Sequence, residues 1–125
     1  MSKSILIVDD SFVMRKALRQ TLEMQNGWEV CGEAVNGREG IEKAKELKPD
    51  VIVLDLSMPV MNGLEATREL KSLLPSIPVL MFTNFDTPHV KQAALSAGVR
   101  AVVSKSESVA VLVSSLQGLL DERAS

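Results

Sequence analysis

Apolar residues along the chain follow two periods, one typical of buried strands and one typical of amphipathic helices. Uninterrupted runs of β-branched residues and leucine, such as residues 5–8, are typical of parallel strands that helices cover on both faces. Each run is followed by a longer segment in which apolar residues recur at helical spacing. The pattern predicts strands over residues 5–8, 29–34, 51–54, 79–82 and 101–104, and helices over residues 12–25, 37–47, 88–97 and 108–122, with a further helix from the loop at 56–63 to residue 74.

Local signals mark the ends of several predicted helices. Ser11 precedes the first helix and has a side chain that can cap it. The dipeptide Asn26-Gly27 predicts the end of that helix. Pro88 suits the first turn of the fourth helix, and Gly98 is suited to close it. These signals agree with the division of the chain into strand-and-helix units.

Regular alternation of strands and helices predicts the fold class. It indicates an α/β protein whose parallel strands are joined by right-handed crossovers. A chain of 125 residues is long enough for one ordinary domain with its own core. We therefore expect a single domain over residues 1–125.

Composition and charge narrow the possible functions. The net charge is only −2, and lysines and arginines are interleaved with acidic residues, so we expect no direct nucleic-acid binding. The sequence has neither a signal-peptide pattern nor an apolar stretch long enough to cross a membrane. The single cysteine, Cys31, excludes an internal disulfide framework and suits a reducing compartment. We therefore expect a cytoplasmic location and no membrane partner.

Three aspartates stand directly after two of the predicted strands. Asp9 and Asp10 follow the first strand, and Asp55 follows the third. In open parallel sheets the ligand site lies outside the carboxyl ends of the strands, so the three carboxylates should meet in one crevice. Clustered carboxylates repel one another unless a cation joins them, and a hard divalent ion prefers oxygen ligands. The sequence therefore predicts a divalent-cation site at this edge of the sheet.

Thr83 and Lys105 end the fourth and fifth predicted strands and should face the same crevice. A hydroxyl and an ammonium beside a cation site can hold the oxygens of a phosphoryl group. A carboxylate can itself accept the phosphoryl group, as in enzymes that form aspartyl phosphates. Asp55 is the best candidate because its strand is central and its flanks are apolar.

Taken together, these residues resemble the receiver domain of two-component response regulators, the CheY-like superfamily. The resemblance covers essentially the whole chain and implies a flavodoxin-like three-layer α/β/α sandwich. Its five-stranded parallel sheet would have the order 2-1-3-4-5, with five helices. Since the sequence ends with the last predicted helix, we expect residues 1–125 to be a single receiver domain with no output domain. The matching residues are Asp9, Asp10, Asp55, Met58, Pro59, Met61, Asn62, Gly63, Thr83 and Lys105.

The resemblance implies a role in phosphorelay signal transduction rather than an enzyme with a separate substrate. Asp55 would accept a phosphoryl group from a phosphohistidine of a histidine kinase or a histidine phosphotransfer protein. Asp10, Asp55 and the backbone carbonyl of Ser57 would bind Mg²⁺ (or Mn²⁺) directly, and Asp9 would act through water. The protein would assist its own Mg²⁺-dependent phosphorylation and dephosphorylation.

The resemblance also implies how the phosphoryl group would be sensed. Thr83 and Lys105 would bind the phosphoryl oxygens and move slightly toward them. In the family, this movement reshapes the face formed by helix four, strand five and helix five, so the output is a changed protein–protein surface. An unidentified downstream protein would bind that face. The protein would be either a monomer or a phosphorylation-dependent homodimer, and the same face is where a dimer would form.

The sequence departs from the usual receiver pattern at three positions. Val102 stands where the family usually carries Tyr or Phe, and valine has no ring to swing inward. Asn84 follows Thr83 and is larger than the small residue common there, so it could narrow access to Asp55. Ser106 replaces the usual proline, and we therefore expect a trans peptide bond after Lys105.

Three other functions compete with the receiver interpretation. The first is a phosphatase or phosphotransferase that uses Asp55 as nucleophile. The haloacid-dehalogenase type needs a second aspartate two residues after the first, and Ser57 occupies that position. A flavin- or dinucleotide-binding domain needs a glycine-rich turn after the first strand, where Asp9, Asp10 and Ser11 stand instead. The third is a receiver-fold binding module in which Val102 and Asn84 mark lost phosphorylation switching.

Overall fold

The computed structural model describes residues 2–124, and its centre is a parallel sheet with the strand order β2-β1-β3-β4-β5. The predicted α/β/α fold class and strand order are confirmed. The strands are β1 (Lys3–Val8), β2 (Trp28–Ala34), β3 (Val51–Leu54), β4 (Val79–Thr83) and β5 (Ala101–Ser104). The helices are α1 (Phe12–Glu23), α2 (Gly37–Leu47), α3 (Gly63–Leu73), α4 (Pro88–Ala97) and α5 (Val109–Ala124).

The two faces of the sheet are covered by different helices because successive strand side chains point to opposite sides. On one face, Ile5 and Ile7 of β1 pack with buried residues of α1 and α5. On the other, Leu6 and Val8 pack with buried residues of α2, α3 and α4. The last four residues of β1, Ile5 to Val8, are each at most 1% exposed, which explains the continuous apolar run in the sequence.

The bounds of the elements differ from the predicted ones by a few residues. β1 begins at Lys3 rather than at residue 5, because the Lys3 N–H donates to the Gly27 carbonyl (2.7 Å) and extends the pairing with β2. α1 ends at Glu23 rather than at residue 25, because the Gln25 N–H donates to the Leu22 carbonyl in a tighter turn. Gly27 has φ +83°, so the dipeptide that predicted the end of α1 lies in the following turn.

The caps of the helices agree with the sequence signals. The Ser11 hydroxyl accepts from the Met14 N–H (3.2 Å) at the start of α1. Gly98 ends α4 with φ +112°, a backbone conformation that residues with a Cβ rarely adopt. At the start of α3, the Asn62 and Glu65 side chains each accept from the other's backbone N–H in a capping box. The caps at Ser11 and Asn62 lie in the loops that lead from β1 and β3 into α1 and α3.

α5 carries no charged residue before Asp121. One side of the helix is buried in the core between the sheet and α1, where Leu112 and Leu116 are both 0% exposed. Within residues 2–124, no helix combines the length and the apolar character needed to cross a membrane.

Candidate functional site

The carboxyl ends of four neighbouring strands bring the predicted site residues together. Asp9 directly follows β1 and Asp55 directly follows β3, while Thr83 is the last residue of β4. Lys105 directly follows β5, and its N–H donates to the Thr83 carbonyl (2.9 Å). The parallel register aligns these strand ends, so residues up to 96 positions apart in sequence share one crevice.

Asp9, Asp10 and Asp55 form an acid cluster. One carboxylate oxygen from each lies within 4.8 Å of the others, close enough for a single cation to contact all three. Asp9 and Asp55 are only 2% and 7% exposed, whereas Asp10 is exposed and open to solvent. The oxygen ligands and the open side fit a hard divalent ion that retains part of its water shell.

The Lys105 ammonium lies between two of these carboxylates. It donates to an Asp9 oxygen at 2.9 Å and to an Asp55 oxygen at 3.2 Å. The side chains of all three residues are at most 9% exposed, so solvent screens the pairs weakly. Lys105 therefore offsets part of the negative charge that the two buried acids would otherwise leave uncompensated.

Burial is the largest influence on the pKa of Asp55. Loss of solvation raises the pKa of this carboxyl above its ordinary value, and the neighbouring Asp9 raises it further. The Lys105 ammonium and the Leu56 N–H lower the pKa without cancelling the effect of burial. For Lys105, burial lowers the pKa, but the bonds to Asp9 and Asp55 outweigh it and the pKa is raised. The two groups therefore each shift the other's pKa in the direction that favours the ion pair, while burial opposes both charges.

Backbone N–H groups orient the two buried carboxylates. The Leu56 N–H donates to one Asp55 oxygen (2.8 Å), while the other oxygen faces Lys105. The Ser11 N–H donates to one Asp9 oxygen (2.9 Å), and Lys105 again contacts the other. Each carboxylate therefore has one oxygen fixed by the backbone and one directed into the crevice.

The remaining predicted site residues flank the cluster. Thr83 is fully buried, and its hydroxyl oxygen accepts from the Phe85 N–H (3.1 Å), which leaves the hydroxyl proton for another acceptor. Ser57 is exposed two residues beyond Asp55. An open cavity of about 420 Å³ lies beside the cluster and is lined by Leu56, Ser57, Met58, Asn62 and Phe85.

Arg15 is a residue of this region that the sequence interpretation missed. Its guanidinium donates to the Asp9 backbone carbonyl (2.8 Å) and to the Glu33 carboxylate (3.0 Å). Burial raises the pKa of Glu33, but Arg19 and Arg15 outweigh it and lower the pKa. No sequence pattern connects Arg15 with Glu33, 18 residues away, because only the packing of α1 against β2 brings them together.

The three departures from the receiver pattern have distinct surroundings. Val102 is half-buried and packs against the core on the α2, α3 and α4 side of the sheet. Asn84 is exposed at the rim of the crevice. The peptide bond between Lys105 and Ser106 is trans, as expected from the absence of proline.

The loop between β3 and α3 brings Gly63 close to the backbone of Asp55. Val60, at its tip, is 81% exposed and has φ +68°, a strained conformation for a β-branched residue. The Gly63 N–H then donates to the Leu56 carbonyl (2.8 Å). A Cβ on Gly63 would lie 2.3 Å from the Asp55 carbonyl oxygen, so only glycine fits at this position.

We expect Gly63→Ala to displace the backbone at Asp55 and to lower the free energy of unfolding by about 1–3 kcal/mol, the usual range for overpacking. Gly118→Ala is the matched control, because a Cβ there has no atom within 4 Å and α5 should gain about 0.5–1 kcal/mol. Urea unfolding of both variants measures the two effects. Equal stability of Gly63→Ala and the wild type would contradict the close approach.

Comparison with known proteins identifies the family. The response regulator receiver domain family matches residues 5–117. The chain belongs to this family. The match includes every predicted site residue, and a receiver domain is a regulatory module of two-component signalling.

Individual relatives agree with the family match. The chemotaxis protein CheY of Thermotoga maritima is 39% identical over 105 residues, which cover 84% of this chain and 87% of that protein. A protein-glutamate methylesterase/protein-glutamine glutaminase of Methanosarcina acetivorans is 44% identical over 105 residues, which cover 82% of this chain but only 30% of that protein. Among solved structures, a LuxR-family two-component response regulator from an Aurantimonas species superposes with a TM-score of 0.94 at 31% identity and covers 98% of this chain and 88% of that chain. Two further relatives, LnrK of Bacillus subtilis and VraR of Staphylococcus aureus, are matched over 50% and 52% of their length.

Proposed function

We propose that this receiver domain accepts a phosphoryl group on Asp55 from a phosphohistidine of a histidine kinase or a histidine phosphotransfer protein. The observation that carries the proposal is the acid cluster with Lys105 between Asp9 and Asp55. In the transfer, the Asp55 oxygen that faces Lys105 would form the bond to phosphorus while the bond from phosphorus to the histidine nitrogen breaks. The nitrogen keeps the electron pair, so no other reactant is needed.

Asp10, Asp55 and the backbone carbonyl of Ser57 would hold Mg²⁺ directly, and Asp9 would hold it through water; Mn²⁺ has the same ligand preference. The fit is supported by the three carboxylate oxygens within 4.8 Å of one another and by the exposure of Asp10. A bound divalent cation would offset the negative charge that accumulates where the phosphoryl oxygens meet the carboxylates. The same arrangement would serve hydrolysis of the aspartyl phosphate, so the domain would act on itself rather than on a separate substrate.

Thr83 and Lys105 would bind the phosphoryl oxygens after transfer. The Thr83 hydroxyl oxygen already accepts from the Phe85 N–H, so its proton is available to a phosphoryl oxygen. Lys105 would exchange one carboxylate partner for a phosphoryl oxygen at little electrostatic cost. Both residues therefore couple the phosphoryl group to the ends of β4 and β5.

The output surface would be the face formed by α4, β5 and α5. Leu95 of α4 is 55% exposed, and Val102 of β5 is half-buried, so part of this face is apolar. An aromatic side chain at position 102 would rotate inward on activation, whereas the side chain of valine has no ring and is restricted at χ1. Displacement of the β4 and β5 ends would then carry the signal to a downstream protein or to a second copy of the chain. We place this activity in the cytoplasm, in keeping with the single cysteine of the sequence.

Intact-protein mass spectrometry with a small phosphodonor and with phosphohistidine proteins tests the proposal. Acetyl phosphate with Mg²⁺ should add one phosphoryl group, and a cognate phosphohistidine donor should add the same group faster. EDTA should prevent both reactions. No labelling with either type of donor would overturn the proposal and favour a receiver used only for protein binding.

Mg²⁺ binding should stabilise the fold in a saturable way. At a concentration 100 times the dissociation constant, a ligand that binds only the folded state contributes about 2.7 kcal/mol. Asp10→Asn removes an exposed carboxylate of the cluster and should weaken this effect, while Asp50→Asn, at the opposite end of β3, should not. Thermal unfolding at several Mg²⁺ concentrations measures the difference, and equal Mg²⁺ responses of the two variants would argue against the assigned ligands.

A further inference from the structure

Two backbone hydrogen bonds fix the turn that follows β5 and contains Lys105. The Lys105 N–H donates to the Thr83 carbonyl (2.9 Å), which ties the start of the turn to β4. The Glu107 N–H donates to the Ser104 carbonyl (3.1 Å) and closes the turn around Lys105. The backbone of the lysine is therefore fixed although its long side chain has many rotamers.

The side chains of two serines add further hydrogen bonds within the same turn. The Ser104 hydroxyl oxygen accepts from the Ser106 N–H (3.1 Å), and the two hydroxyls are hydrogen-bonded to each other (2.7 Å). Ser104 is only 5% exposed, and within the described residues both hydrogen bonds of its hydroxyl are to Ser106. We call this pair the serine clasp. It encloses Lys105, which is the residue between them.

The clasp stands where a receiver usually has a proline after the lysine. Proline restricts the backbone through its ring, whereas Ser106 leaves φ free and keeps an N–H. In this chain the Ser106 N–H and hydroxyl are both bonded to Ser104, so hydrogen bonds supply the restriction that the ring would give. The arrangement requires two serines separated by one residue, and the sequence Ser104-Lys105-Ser106 provides them.

We propose that Ser104 and Ser106 are positioning residues that hold Lys105 against Asp9 and Asp55 for phosphoryl transfer. The inference rests on the proposed function, since it concerns the same site. Within residues 2–124, the hydroxyls of the clasp make no hydrogen bond to either carboxylate, so the clasp would act through the direction that it gives the lysine side chain. Misplacement of a binding group by about 1 Å can lower a rate by up to ~100-fold, so a modest shift of the ammonium is sufficient for a measurable effect.

The test compares serine variants in two backgrounds. Ser106→Ala removes one hydroxyl of the clasp, and Ser104→Ala removes both bonds; each should slow labelling by acetyl phosphate by roughly tenfold. Ser106→Thr keeps the hydroxyl and should restore most of the rate. Ser114→Ala is the control, because Ser114 is exposed on α5 and makes no side-chain hydrogen bond within residues 2–124.

The Lys105→Met background separates positioning from a general structural role. If the serines act through the lysine, Ser104→Ala and Ser106→Ala should cause no further loss of rate once Lys105 is replaced. An equal loss in both backgrounds, or wild-type rates for both serine variants, would overturn the inference. Labelling of the wild type and its absence in Asp55→Asn are measured alongside, so a failure of the proposed function would be recognised separately.

Discussion

Asp55→Asn is expected to abolish phosphorylation by acetyl phosphate and by phosphohistidine donors. The amide has no free carboxylate oxygen that could form the bond to phosphorus, so the loss should be complete rather than partial. Intact-protein mass spectrometry of the wild type and the variant measures it directly. Asp50→Asn is the matched control, because Asp50 directly precedes β3 while Asp55 directly follows it. Continued labelling of Asp55→Asn would assign the acceptor to another residue.

The same variant should keep its fold without Mg²⁺. Burial and Asp9 raise the pKa of Asp55 above its unfolded value, so the folded state binds this proton more tightly than the unfolded state. Stability is therefore greatest below the unfolded pKa and falls as pH rises through the raised folded pKa. A neutral amide removes this penalty at neutral pH. We expect Asp55→Asn to unfold no earlier than the wild type in EDTA, and a large drop in its melting temperature would contradict this account.

Lys105→Met should have the second-largest effect, on both rate and stability. Removing a preorganised charged donor from an active site typically lowers the rate by about 10²–10³-fold, and we expect a loss in this range for labelling by acetyl phosphate. Removing one member of a buried ion pair typically costs about 3–5 kcal/mol, and Asp9 and Asp55 would both lose their ammonium partner. Lys91→Met, an exposed substitution on α4, is the control for loss of one positive charge.

The pH dependence gives Lys105→Met a separate test. Lys105 lowers the pKa of Asp55, so its removal should move the fall in labelling rate at acid pH to a higher pH. The raised pKa of Lys105 means that its contribution to stability is complete below its unfolded pKa and is lost as pH rises through the folded pKa. The stability difference between wild type and variant in EDTA should thus vanish in strong alkali. A difference that persists there would indicate lost packing rather than lost charge.

The site has a buried half and an open half with different tasks. Asp9, Asp55 and Thr83 are buried, and each accepts a hydrogen bond from a backbone N–H, which orients the oxygens for the proposed transfer. Asp10 and Ser57 are exposed on the solvent side, where a cation can enter with part of its water shell. In the proposed transfer, a donor would reach Asp55 from the open side, and the backbone bonds would set the starting positions of the buried oxygens.

The fold could be predicted from the sequence because its determinants are local. Apolar runs buried on both faces, such as Ile5–Val8 within β1, and the cap at Ser11 depend on neighbouring residues, so periodicity and residue type identified them. Helix and strand ends were less predictable. α1 ended at Glu23 because a turn hydrogen bond at Gln25 competed with the helical pattern.

The sequence by itself determined which residues meet at the site: once strands are parallel, their carboxyl ends share an edge, and Asp9, Asp55 and Lys105 follow such ends. Only the tertiary structure decided how they meet. The ammonium between two carboxylates, the Arg15 contact to the Asp9 carbonyl and the close approach of Gly63 to Asp55 join segments that no local pattern connects. Burial likewise sets the pKa of Asp55, because desolvation depends on every atom packed around a group and not on its neighbours in sequence.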